Sequence, residues 1–198
     1  MSLVEESKDI GLWLHTKLDG LMVPSDDRTR SAAGCFEISM EHQCAIAILL
    51  EAQLYGSLCS LARSVFESYV RGCWLKYCAD ESQVEKFLTS GVRATFQSLI
   101  DEIEALDIDS PKVLSQAKNA GWDLLNDFTH SGAQHVIRRN TETSISPNYD
   151  DEEIRSVVRF VNALALICGY EVYSMGDSDA SEAYAEFIDK VSQFSADS

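Results

Sequence analysis

Only three prolines, Pro24, Pro111 and Pro147, occur in 198 residues, and each stands beside a pattern that starts or stops a helix. No stretch alternates apolar and polar residues in the way a half-buried strand does. The sequence therefore predicts an all-α chain: a single-domain helical bundle of about seven to eight helices over residues 1–198. Its core covers about 28–175, with peripheral N-terminal and C-terminal helices. A hydrophobic content of 45% is enough for one substantial core.

The spans follow from period and punctuation. A first helix covers about 3–20, with Ile10, Leu14 and Leu18 at four-residue steps, and stops at Gly20. Asp26 or Asp27 caps a second helix to about residue 50, residues 51–56 form a bend, and a third helix runs over about 55–79. Two shorter helices occupy 81–89 and 92–107, the latter with Phe96, Leu99, Ile103 and Leu106 at core spacing. Ser110 followed by Pro111 opens a sixth helix to about His130. Gly132 ends or bends it, and the next residues, AQHVIRR, add a turn or two. After the polar loop NTETSISPN, Asp150 with Glu153 makes a capping-box start for a helix to about Met175 that is apolar nearly all round. A last helix, about Asp179 to Phe194, turns Tyr184, Phe187, Ile188 and Val191 inward.

The net charge of −16 is unevenly spread. Residues 28–79 and 128–149 are each slightly positive, and every other segment is acidic. Broad binding to DNA is thereby disfavoured, whereas a local anion site is not. The longest apolar runs, CAIAILL and VNALALICGY, fall short of the roughly 18–20 residues of a membrane span. The acidic first residues lack an apolar signal core, so a cytoplasmic location and no membrane contact are expected. Six cysteines lie inside helix-like apolar segments and read as free thiols. The four histidines lack zinc-site spacing, His130 and His135 diverging by about 140° on a helix. No metal and no cofactor is expected.

Two places carry ionisable groups where an apolar helix should have none. In LARSVFESYVRGCWLKYC, Arg63, Glu67 and Arg71 follow at four-residue steps and share a ribbon with Trp74. One reading is an internal ion-pair ladder. The other leaves one guanidinium fork free for phosphate or carboxylate, with Arg63, Glu67, Arg71, Trp74 and Gln134 as the ligand-binding set. In DLLNDFTHSGAQHVIRR, Asp127 and His130 sit on a polar face opposite Ala117, Gly121, Leu124 and Phe128. Asp127 would orient the imidazole and leave its other nitrogen as a base. The alternative is a histidine that merely caps the helix C-terminus.

The Arg-x-x-x-Glu-x-x-x-Arg ribbon, Trp74, Trp122 and the turn Thr129, His130, Gly132 together resemble an uncharacterised bacterial helical family, itself distantly similar to the HEPN (higher eukaryotes and prokaryotes nucleotide-binding) superfamily. The resemblance spans about residues 40–175. It implies a HEPN-like core and a place in bacterial defence or toxin–antitoxin systems. HEPN ribonucleases carry Arg, four to six residues, then His on one helix. Here the nearest pairs run backwards, from His135 to Arg139 and from His130 to Arg138, so an enzyme is not the leading expectation.

Three functions follow. The first is a binding or assembly module for an anionic or nucleotide-like ligand, RNA included. It would form a homodimer or higher homo-oligomer, because the helices over 55–79 and 150–175 are apolar on more faces than a surface needs. The second is a metal-independent endoribonuclease, with His130 as base and Arg63 or Arg71 stabilising the phosphorane. The third is an acidic decoy whose DEIEALDID and DDEE segments mimic nucleic-acid phosphates.

Overall fold

A computed structural model describes residues 2–90, 94–107, 111–176 and 180–195. Among them are nine helices: α1 (Leu3–Leu18), α2 (Asp27–Glu51), α3 (Tyr55–Tyr77), α4 (Glu81–Ser90), α5 (Phe96–Glu104), α6 (Val113–Thr129), α7 (Ala133–Ile137), α8 (Asp151–Tyr173) and α9 (Ala180–Ser195). The chain is an all-α bundle. The extra helix relative to the sequence reading is α7, a five-residue piece that the polar sequence after Gly132 announced only as a turn or two.

Caps set several of the boundaries. Asp26 accepts the backbone N–H of Thr29 at 3.0 Å and starts α2, and Asp150 accepts those of Glu152 and Glu153, both at 3.0 Å, to start α8. Glu153 does not complete a capping box, because its carboxylate is taken by Arg138. Ser110 lies outside the described residues, and α6 begins at Val113 rather than beside Pro111. Between α2 and α3 the bend turns on Gln53, at φ 56°.

α3 is the central helix. It packs against α2, α5, α6 and α8, burying Leu58, Cys59, Ala62, Val65, Phe66 and Val70 among other residues. Its unusual apolarity is therefore met by neighbours within the chain. By length and composition α8 could cross a membrane, but α1, α2, α3 and α9 surround it and Val158, Val161, Ala165, Leu166 and Cys168 are fully buried. A buried polar group joins three helices: Gln43 donates to the Ser7 carbonyl at 2.8 Å and to Asn162 Oδ1 at 2.9 Å. Asn162 donates to Ser7 Oγ at 3.0 Å, which ties α1, α2 and α8 together.

Candidate functional site

α6 lies along α3, with Phe66 edge-on to Trp122 at 6.3 Å and Ser60 Oγ donating to the Phe128 carbonyl at 3.0 Å. Apolar packing fixes the register, and the polar ribbon of α3 then faces the polar side of α6. Arg63 is held from every direction. Its Nε and Nη2 donate to Glu67 Oε1 at 3.1 and 2.9 Å, and its Nη1 donates to Asn126 Oδ1 at 2.8 Å. The same Nη1 lies 2.9 Å from His130 Nε2. Because a guanidinium only donates, Nε2 must be the acceptor and this imidazole is neutral.

Beneath the guanidinium lies Trp122, whose ring centre is 4.8 Å from Arg63 Cζ. Phe96 stacks on that indole at 4.2 Å with the planes 11° apart. The cation thus rests on an aromatic platform built from α5 and α6.

Glu67 bridges two cations: Oε1 meets Arg63 and Oε2 meets Arg71 at 3.4 Å. The Arg63 and Glu67 side chains are 18% and 20% exposed, that of Arg71 42%. The ladder inferred from four-residue spacing is present, and it leaves Arg71 as the member with room for another partner.

Several sequence assignments change. Asp127 does not orient His130, since its Oδ2 accepts the backbone N–H of Gln134 across the α6–α7 corner. That corner turns on Ser131, at φ 55°, and not on Gly132, whose φ of −71° any residue adopts. Gly132 is needed for space: a Cβ there would fall 1.8 Å from Asp127 Oδ1. Trp74 is 3% exposed and donates to Glu102 Oε2 at 2.6 Å, so its indole N–H is spent on α5. Gln134 Oε1 accepts from Arg138 at 2.8 Å, steadying the Arg138–Glu153 pair.

Sequence reasoning left Asn126 and Trp122 without roles beside Arg63. Asn126 immediately precedes Asp127 and lies one helical turn before His130, so the polar face read for that pair could have included it. The Trp122 platform depends on the α5–α6 packing, for which the sequence carries no local signal.

Among the described residues no group of three or more His, Cys, Asp or Glu side chains is placed to hold a metal ion. The six cysteines carry no disulfide. No curated protein and no solved structure matches the chain. Residues 36–193, the span holding α3, α6 and the Arg63–His130 contact, match the family of unknown function DUF6988, and the chain belongs to that family.

Proposed function

We propose that the protein is a non-catalytic binding module for an anionic, nucleotide-like ligand received at the rim of the α3–α6 seam. The observation that carries this reading is the state of Arg71. It shares Glu67 with Arg63, yet it is half-exposed and, among the described residues, its ion pair is a single 3.4 Å contact, so its fork has donors to offer a phosphate. Arg63 and Glu67 position it, and His130 stands at the opposite end of the ladder, with Nε2 occupied by Arg63. The resemblance to HEPN proteins favours a nucleotide as the source of the anion. Cleavage of RNA at this seam is disfavoured because the base nitrogen of His130 already accepts from Arg63 and Asp127 is engaged elsewhere.

Titration calorimetry with ATP tests the reading. Binding is expected in wild type and roughly tenfold weaker binding in Arg71→Gln, the worth of one charge-assisted contact. ATP binding that is absent, or that Arg71→Gln leaves unchanged, overturns it. We include a homodimer in the proposal, now on different grounds from helix apolarity: Val136, Ile137 and Ile145 are 55%, 58% and 87% exposed around α7. Light scattering that finds a monomer at high micromolar concentration removes that part.

A further inference from the structure

α7 and the segment after it fold back over the first turn of α3, and three polar side chains end there. A Cβ added to Gly56 would lie 2.5 Å from His135 Nε2, 2.7 Å from Tyr149 Oη and 3.0 Å from Arg139 Nη2. The three tips therefore surround one point, and the missing side chain of Gly56 is what lets them approach the helix.

Each tip has something to offer. His135 Nδ1 lies 3.1 Å from the Phe128 carbonyl oxygen. A carbonyl only accepts, so Nδ1 carries the proton and, in the neutral ring, Nε2 faces the cluster as a lone pair. Tyr149 is fixed by its ring, edge-on to Tyr55 at 5.6 Å and stacked with Phe128 at 6.1 Å. Its Oη is sealed from solvent and lies close to the Arg139 guanidinium, but no donor or acceptor meets it in well-aligned hydrogen-bonding geometry. Burial raises that hydroxyl above its ordinary value, with the nearby Arg139 pulling the other way, so it remains a protonated donor at neutral pH. An unmet buried hydroxyl is costly to keep without a purpose.

Arg139 is exposed, with its guanidinium 5.8 Å above the Tyr149 ring. Among the described residues no carboxylate pairs with it, in contrast to its neighbour Arg138, which Glu153 grips with both oxygens. Arg63 and Arg71 likewise pair with a carboxylate, Glu67, so the Arg139 guanidinium differs from all three in having its charge uncompensated by an adjacent acid among the described residues.

We propose that His135, Arg139 and Tyr149, gathered over Gly56, form a second anion site, apart from the Arg63–His130 seam, and that its ligand is a phosphate group carrying one proton. Arg139 donates to two phosphate oxygens and Tyr149 Oη to one of them. The P–O–H of the monoprotonated ion donates to His135 Nε2. A fully deprotonated tetrahedral anion such as sulfate has no hydrogen to give that nitrogen, which makes the cluster selective for phosphate.

Thermal melting of the full chain at constant ionic strength, titrated with inorganic phosphate near pH about 6.5, where every phosphate ion carries at least one proton and a phosphomonoester still carries one in part, tests the site. Wild type is expected to gain about 2–4 °C near saturation. Arg139→Gln and Tyr149→Phe should lose that gain. Without phosphate, Tyr149→Phe should melt no lower than wild type, since it deletes an unmet hydroxyl, and this separates loss of binding from loss of folding. AMP in a parallel titration identifies the source: a larger gain than with phosphate points to a nucleotide, an equal gain to the free phosphate group, and either supports the site. The proposal is overturned if wild type gains nothing or if both variants keep the gain. It is equally overturned if Arg71→Gln alone loses the gain, which places the ion at the seam, or if sulfate stabilises as well as phosphate.

Discussion

Arg63 Nη1 approaches His130 Nε2 to 2.9 Å, so the two residues that sequence reasoning took as partners in chemistry neutralise each other's capacity for it. The imidazole spends its acceptor on the guanidinium, and the guanidinium spends its donors on His130, Asn126 and Glu67. The loosest member of the ladder is Arg71, about two turns along α3, whose side chain is 42% exposed.

Glu67 holds two arginines, one of them largely buried, and its removal should be felt in stability. Glu67→Ala is expected to cost about 2–3 kcal/mol, less than for a fully buried pair, because Arg71 faces solvent and Arg63 keeps Asn126. Urea denaturation reads this directly. Replacing both members of the inner pair, as Arg63→Met with Glu67→Leu, should cost less than the sum of the single losses, since the charge then left unpaired is that of the half-exposed Arg71.

The α6–α7 corner makes a sharper test, because Asp127 and Gly132 constrain one another. Asp127→Ala removes the acceptor of the Gln134 N–H and should cost about 1 kcal/mol, as for a lost helix cap. Gly132→Ala should cost more, since its Cβ would overlap the Asp127 carboxylate. The double variant should be more stable than Gly132→Ala alone. A double-mutant cycle showing strict additivity would sink the account of this corner given above.

These two sites mark how far the sequence could be read. The helix ribbon, its ion pairs and the caps at Asp26 and Asp150 are local, with partners four or fewer residues apart, and period and residue type express them. The Trp122 platform joins α5 to α6, and the Gly56 cluster joins α3 to α7 and the loop holding Tyr149. Such contacts depend on how helices cross, which no window of sequence encodes. Asp127 shows the intermediate case: its spacing to His130 was real, but a nearer backbone N–H won the carboxylate.

At Gly72 the central helix meets α2 so closely that a Cβ would lie 2.5 Å from Phe36 Cε1 and 2.7 Å from Cδ1. Phe36 is wholly buried and has nowhere to withdraw. Gly72→Ala should therefore destabilise by about 1–3 kcal/mol through overpacking, despite alanine's better helix propensity. Adding Phe36→Leu should recover part of the loss. Denaturation midpoints of the two variants check the order.

The thiols should report the same packing through their reactivity. Cys44 is exposed and Cys78 half-buried, while Cys35, Cys59, Cys73 and Cys168 are buried. Burial pushes the Cys35 thiol up to about 11 and Cys59 up to about 12, so near pH 8 these hold almost no thiolate. Cys44 is raised as well, by partial burial, and should react more slowly than a free cysteine peptide. Its rate should climb as pH rises toward its pKa, because only the thiolate attacks. Disulfide-exchange labelling of the native protein is thus expected to titrate Cys44 first, Cys78 more slowly, and the other four only on unfolding. Rapid native labelling of Cys59, which lies one turn from Gly56, would mean that α7 lifts off α3 and that the Gly56 cluster is not a standing feature of the fold.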